Sequence, residues 1–410
     1  MKLLFSVAFC TLIYSISLAQ PNTLNHYLEV AKNNSPLLKD LRNQISSGQL
    51  DSLRIRAGLK PQVNLTSAGY FAPVINGYGY AGVITNVQTL NALLGVNKQI
   101  ISRGYLNSQL AMITFQRDSL INSGKLTEQD LKKTITGQYI TAYGSLQQVR
   151  FNQDVVKLLS EEESLLKKLA RSNVYKQSEY LAFLVTLKQA QLQLLQAQLS
   201  YKNDYATLNY LAGITDTATV ELSEPDIHRT MRPEINSSIF FRQYKLDSLR
   251  LNNARRLLDY SYKPKANIFA DAGYNTDFTL PAKNFGTSFG FNLSMPIYDG
   301  GVRKLEYKKI RLQEETRQNY KTFFNAQYRQ QIAQLNQQIN ENENLLTEIK
   351  AQMKYSESLI KVDTELLQTG DVKMADLILA VNNYFTIKNL LTQSTIARLQ
   401  LINQLNYWNK

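Results

Sequence analysis

The stretch Phe285-Gly286-Thr287-Ser288-Phe289-Gly290-Phe291-Asn292-Leu293-Ser294-Met295, followed by Pro296-Ile297-Tyr298-Asp299-Gly300-Gly301, decides the fold. Phe285, Phe289, Phe291, Leu293 and Met295 share one parity, and Gly286, Ser288, Gly290, Asn292 and Ser294 take the other. This alternation predicts a strand with one apolar and one wet face. Pro296 ends pairing, and Gly300-Gly301 permits a sharp redirection. The 69 residues after Gly301, to Gly370, contain no proline. At 1.5 Å per residue they make about 100 Å of helix. Within them Ile332, Leu335, Ile339, Leu346, Ile349 and Met353 keep coiled-coil spacing, with Asn342 interrupting.

The chain repeats this grammar. Leu208-Asn209-Tyr210 recurs as Leu405-Asn406-Tyr407, an offset of 197. The same offset relates Pro36 to Pro233, Gly104 to Gly301, Asn173 to Gly370, Lys176 to Lys373 and Glu179 to Asp376. Lys60-Pro61 pairs with Lys263-Pro264 at 203, so the register slips before the strands. One supersecondary unit is therefore read twice. Repeat 1 takes residues 20–214, with a hairpin about 61–100 and a long helical hairpin 104–211. A polar linker takes 215–232. Repeat 2 takes 233–410, with a hairpin about 264–298 and a helical hairpin 301–408. Copy one opens on a helical stretch holding Leu24, Leu28, Leu37, Leu38, Leu41, Ile45 and Leu53. Its later strand shows Ala92, Leu94 and Val96 against Gly95 and Asn97. Val63–Phe71 and Ala266–Tyr274 supply the partner strands. In the returning helix Leu187, Leu194, Tyr201 and Leu208 stand seven apart, while Gln189, Gln191 and Gln193 suit a wet surface or lumen.

Met1-Lys2, the apolar stretch Leu3 to Leu18 and the ending Ser17-Leu18-Ala19 read as a secretory signal over 1–19. No later apolar run approaches the roughly 18 residues of a spanning helix. An exported chain of this kind is either soluble or crosses a membrane as a β-barrel. Four strands close no barrel, because membrane barrels need at least about eight, so spanning strands require oligomerisation. Tyr70, Phe71, Tyr78, Tyr80, Tyr274 and Phe278 cluster toward the hairpin tips, as in an interfacial girdle. A small soluble sheet remains the other reading.

Composition narrows the chemistry. The 410 residues carry 46 Lys+Arg against 33 Asp+Glu, two His and one Cys, Cys10. That excludes a Cys/His zinc site and a disulfide scaffold. His26 and His228 have no nucleophile pattern around them, and Gly300-Gly301 lacks the phosphate-loop consensus. Glu161-Glu162-Glu163 reads as a solvated helix face. Neither a catalytic set, a cofactor nor a metal is expected. Export argues against nucleic acid, so the positive excess concerns anionic lipid or cargo.

Taken with Arg232-Pro233-Glu234, Tyr262-Lys263-Pro264 and the Met295–Gly301 junction, the chain resembles the TolC-like outer-membrane efflux proteins over nearly its whole mature length. The resemblance implies a mainly α protein with one β-hairpin per repeat. Three copies would form one outer-membrane β-barrel, continued by a long α-helical coiled-coil tunnel in the periplasm. It implies a passive exit duct of a tripartite system, opened by a periplasmic adaptor and driven by an inner-membrane pump. Gly104, Pro296, Gly300 and Gly301 would form the strand-to-helix swivel; copy one, Gln99 to Gly104, lacks the proline and one glycine. The tunnel tips would be Leu169–Tyr180 and Leu366–Leu377, with Asn173, Val174, Lys176, Gly370, Asp371 and Lys373 meeting the adaptor. Glu179 and Asp376 would line the constriction. Val372 stands where the family's latch is basic, and Leu379 where a further acid is found, which leaves the latch undefined. An exported soluble coiled-coil adaptor or scaffold is the alternative.

Overall fold

The computed structural model describes residues 23–81, 88–172, 174–216, 218–231, 238–276, 285–369 and 371–410. The signal segment 1–19, Arg232 to Glu234, Phe278 and the tip residues Asn173 and Gly370 lie outside them. In chain order the elements are α1 (Leu24–Asn34), α2 (Pro36–Gly58), β1 (Gln62–Phe71), β2 (Gln88–Ile100), α3 (Arg103–Arg171) and α4 (Gln177–Ala212). There follow α5 (Ile239–Ser261), β3 (Lys265–Thr276), β4 (Phe285–Ser294), α6 (Val302–Thr369) and α7 (Met374–Trp408). The opening helical stretch is two helices, not one. Ser35 leaves helical geometry and Pro36, which lacks a backbone donor, starts the second.

The chain divides into two compact units. One holds residues 40–124 and 239–324 and contains the sheet. Its strands run in the order β1-β2-β3-β4, all antiparallel. Val63 pairs with Val96, Val96 with Ala270 and Ala270 with Phe289, which places one strand parity of all four strands on a common face. That face carries Val63, Leu65, Leu94, Val96, Ile268, Phe289, Phe291 and Leu293; Phe289 is 92% exposed. The opposite face carries Asn64, Asn97, Asn267, Asp271, Ser288 and Asn292. Among the described residues β1 and β4 each pair on one side only. Between the helices of this unit, Asn253 Nδ2 donates to Ser108 O at 2.7 Å and Asn122 Nδ2 to Ile239 O at 3.2 Å. The Phe241 and Phe324 rings meet at a tilt of 59°, centroids 5.3 Å apart.

The second unit holds residues up to Lys39, 125–238 and 325–410. Its heptad positions are internal: Ile332, Leu335, Ile339, Leu346, Ile349 and Met353 are buried, as are Leu187, Tyr201 and Leu208. The repeated Leu-Asn-Tyr triplets have a tethering use. Asn209 Nδ2 donates to Asp216 O at 2.8 Å, and Asn406 Nδ2 to His228 O at 2.7 Å, so each asparagine pins part of the 214–231 segment. Tyr139 and Tyr201 hold the same segment through the carbonyls of Ser223 (2.8 Å) and Val220 (2.5 Å).

Candidate functional site

At the end of β4 the chain must leave an extended strand and enter α6. Gly300 and Gly301 take φ of 64° and 87°, the left-handed region that side chains disfavour. Asp299 then caps the helix: its carboxylate accepts from Gly301 N at 2.9 Å and Arg303 N at 2.7 Å, satisfying donors the helix leaves open. The Tyr262 hydroxyl donates to the same carboxylate at 2.6 Å. That bond, with the Arg303 and Gly301 backbone donors, holds Asp299 below the usual carboxylate range. Arg303 packs on the Tyr262 ring at 5.0 Å and reaches Asp259 at 3.2 Å, while Tyr307 also donates to Asp259.

The first junction solves the same problem differently. Ser102, which stands at the 197 offset from Asp299, accepts from Tyr105 N at 3.2 Å and so caps α3. Gly104 lies inside α3 and needs no left-handed backbone. It needs space: a Cβ there would lie 2.0 Å from the Tyr260 hydroxyl. Gly301 faces open space. Two glycines aligned by the repeat are thus required for opposite reasons, one for closeness and one for φ. Pro296 follows the last paired residue, Ser294, as its missing donor demands.

At the other end of the long helices, α3 and α4 meet near residues 172–176, and α6 and α7 near 371–373. Tyr175 joins the two turns. Its hydroxyl lies 2.9 Å from Val372 O and 3.2 Å from Leu367 O, and its ring is buried in a cluster with Leu166, Phe183, Leu367, Met374 and Leu377. Burial, then the nearby Glu179 and Asp371, push the Tyr175 hydroxyl up, keeping it a donor. Val372 packs against this cluster through its side chain. Tyr180 donates to Glu163 Oε1 at 2.6 Å, so the Glu161–Glu163 run is not merely a solvated face. Burial and the neighbouring Glu161 raise Glu162.

The acids Glu179 and Asp376 occupy the same turn of their helices but differ in use. Glu179 is half-buried and its Oε2 accepts from Lys176 N at 2.9 Å, half of a capping box. Asp376 is exposed, as are Val174, Lys176, Asp371 and Lys373. Asp371 Oδ2 lies 2.6 Å from Thr369 Oγ1. Among the described residues neither Lys176 nor Lys373 forms an ion pair within this chain. Leu379 is exposed on the same helix.

Two further seams lie in this unit. Leu181, Val185, Leu192, Leu195 and Leu199 stay exposed on α4, and Tyr355, Leu359, Val362 and Leu366 on α6, both at three-and-four spacing; Val185 is 70% exposed. No described helix is long and apolar enough to cross a membrane. Among the described residues there is no group of three metal-ligating side chains. His228 pairs with Asp226 at 2.6 Å on an exposed edge, and His26 lies against Tyr27.

The sequence alone gives no role to Tyr175, Ser102 or Tyr260, places Glu163 only in a solvated run, and marks Asp299 only as part of the junction. One signal was present for three of them. The 197 offset pairs Tyr175 with Val372 and Ser102 with Asp299.

No family model and no curated protein matches the sequence. Solved structures do. The chain is similar to a membrane protein from Pseudomonas aeruginosa (TM-score 0.76, 12% identity, 94% of this chain and 89% of that one). It is also similar to the outer membrane protein VceC of Vibrio cholerae (0.75, 14%, 94% and 96%). A third is the open state of the MtrE outer membrane channel of Neisseria gonorrhoeae (0.74, 12%, 96% and 93%). The fold is that of the TolC-like outer-membrane channels.

Proposed function

We propose that this chain is the outer-membrane exit duct of a tripartite export system, working as a homotrimer. The observation that carries the reading is the sheet. It has four strands, an apolar face, a polar face, and β1 and β4 paired on one side only. In lipid an open edge leaves donors and acceptors without partners, so β4 of one copy pairs with β1 of the next until twelve strands close. The apolar face then meets lipid, and the polar face lines water. The α4 and α6 seams support the same assembly. They are different surfaces, and a ring closes when one seam of each copy packs on the other seam of its neighbour.

The duct is passive. Substrate diffuses through, and an inner-membrane pump supplies the energy. The turns at 172–176 and 371–373 meet a periplasmic adaptor, with Lys176, Lys373 and Asp371 offering exposed charges and Asn173, Val174 and Gly370 completing the tips. Glu179 and Asp376 line the constriction. Because Glu179 is engaged by its own backbone, Asp376 carries more of the electrostatic control.

Purified trimers in planar bilayers test this. Wild type should conduct, and Asp376→Asn should shift the reversal potential in a salt gradient more than Glu179→Gln does. Absence of conductance from wild type and from the double variant would rule out a duct. A coiled-coil scaffold would instead fractionate away from the outer membrane and show no heat-modifiable band.

A further inference from the structure

The four points where strands meet helices lie at one end of the sheet. Gln62, which opens β1, pairs with Asn97; Ile100, which ends β2, pairs with Ala266; and Lys265, which opens β3, pairs with Ser294 at the end of β4. Around these points the segments 51–62, 98–104, 255–265 and 296–311 hold 14 Lys+Arg against four Asp+Glu. The rest of the chain holds 32 against 29. Most of the net charge of +13 therefore sits along this one border of the sheet. The hairpins themselves, 63–97 and 266–295, contain just three charged residues, Asp271, Asp277 and Lys283.

Two observations separate this border from an ordinary solvated surface. The first is an imbalance in access. All 14 basic side chains are exposed, whereas the four acids, Asp51, Asp259, Asp299 and Glu306, are half-buried. Each acid is already engaged: Asp51 with Arg54 at 3.0 Å, Asp259 with Arg303 at 3.2 Å, Glu306 with Lys309 at 3.7 Å, and Asp299 with the start of α6. Arg311 pairs with Glu315 just outside the border, at 3.1 Å. Among the described residues the other ten cations form no ion pair. The second observation is the apolar surface beside them. The apolar parity of β4 runs on through Met295 to Ile297, which is 94% exposed, and Tyr298 next to it is exposed too. Behind these, Lys263 sits 4.5 Å over the Tyr260 ring, Arg303 5.0 Å over Tyr262 and Arg255 5.5 Å over Tyr307. Tyrosine rings paired with long basic side chains suit the boundary between acyl chains and headgroups.

We propose that this border binds the anionic phospholipid headgroups of the leaflet at the helix end of the barrel, selecting them over zwitterionic ones. The proposal deepens the exit-duct reading and rests on its premise that the apolar sheet face meets lipid. Headgroup phosphates supply the counter-charge that the chain's own carboxylates do not, and a zwitterionic headgroup carries no net charge to offer. Charge this dense also resists entry into hydrocarbon, so the border fixes the depth at which the barrel stops and the helices begin.

The test uses the purified full-length protein in nanodiscs of phosphatidylcholine and phosphatidylglycerol in equal parts, with the lipid retained after a detergent wash counted by mass spectrometry. Wild type should retain phosphatidylglycerol at least about fivefold over phosphatidylcholine, the effect of a single basic group beside an anionic surface. That ratio should fall toward one at about 1 M salt, where charges are screened within about 3 Å. Combining Arg56→Gln, Lys60→Gln, Lys304→Gln and Lys308→Gln, all exposed, should abolish the preference. The same loss of charge in the helical unit, through Lys157→Gln, Lys167→Gln, Lys354→Gln and Lys361→Gln, should leave it unchanged. Conductance in bilayers of phosphatidylcholine alone tests the duct separately, and both variants should conduct there. A protein that conducts but retains the two lipids equally, or whose preference falls as much in the helical-unit control as in the border variant, overturns the border and leaves the duct standing. A wild type that neither inserts nor conducts in phosphatidylcholine removes the duct and the border with it.

Discussion

Replacing Tyr175 by phenylalanine isolates one oxygen. The ring stays in the cluster with Phe183, Leu367 and Met374, so no cavity opens. What disappears is the donor that holds Val372 O at 2.9 Å and lies 3.2 Å from Leu367 O. Both carbonyls belong to the end of α6 and the turn after it, where a helix has no donors of its own to offer. Such a hydrogen bond is worth about 0.5–1.5 kcal/mol net, and more when a buried acceptor is left bare, so about 1–2 kcal/mol per chain is a fair figure. The bond ties the α3–α4 turn to the α6–α7 turn. If dilation separates these turns, the open-to-closed ratio should rise roughly 5- to 30-fold for one chain. Concerted opening of three chains would multiply the effect, to about 100-fold or more. Single-channel recording of open probability reads this directly, with Tyr355→Phe, an exposed tyrosine of α6, as control. The hydroxyl's raised pKa keeps it protonated, so the wild-type tie should persist to at least pH 10. An open probability within twofold of wild type for Tyr175→Phe would refute the latch.

Three further outcomes are expected. Phe289→Arg, on the apolar face of β4, should cost about 2–4 kcal/mol of membrane stability and abolish the heat-modifiable band. Asn292→Arg on the opposite face should insert normally and change only conductance; equal damage from both would contradict the assignment of faces. Leu195→Glu in the exposed α4 seam should leave the chain folded by circular dichroism but monomeric by light scattering. Leu208→Ala, fully buried within the chain, should instead lower stability by about 2–5 kcal/mol. A Leu195→Glu protein that remains trimeric would remove the seam from the interface. Burial and the neighbouring Tyr205 push the Tyr201 hydroxyl up to about 12. An unfolded tyrosine ionises near pH 10. Since the folded form holds its proton more tightly, the stabilisation is complete below about pH 10 and is lost as pH climbs toward 12. Melting temperatures that stay flat from pH 9 to 12 would exclude this contribution.

Periodicity explains what could be read from the residues alone. The alternation at Phe285–Met295 and the heptads at Ile332–Met353 are local, and each survives as a strand face or a buried seam because side-chain direction follows from backbone geometry. Residues whose roles depend on a partner far along the chain were not legible in that way. Tyr175 is one aromatic among many until Val372 is brought beside it, 197 residues later. Gly104 was legible as a junction glycine, but the reason differs: the requirement comes from the Tyr260 hydroxyl above it, not from its own φ. Glu179 was legible as an acid at the tip, yet its carboxylate is turned back to cap its helix, a detail only geometry supplies. The break between α1 and α2 was visible in Pro36 and was overridden by the run of leucines across it.

The distribution of buried and exposed apolar groups also orders assembly. Core clusters of the helical unit are completed within one chain: Phe151 to Val381 in one, Tyr27 to Leu222 in another, and Ile349, Met353 and Ile387 in a third. They gain their burial without a partner, and the 214–231 segment is fastened there by Tyr139, Tyr201 and Asn406. The sheet has no such completion. Every residue of β1 is exposed, and most residues of the other three strands stay exposed or half-exposed within one chain. A lone sheet of this kind in water presents an open edge and an apolar surface, the conditions for aggregation. In the proposed trimer the helical unit would fold first, and its two unlike seams would select neighbours before the strands meet lipid. Closing the barrel would then satisfy edges and apolar face in one step. Stability of the β-sheet would on this account depend on the concentration of chains, as it does in obligate oligomers. A seam substitution and a β1-edge substitution should accordingly share one phenotype, folded helices without a barrel.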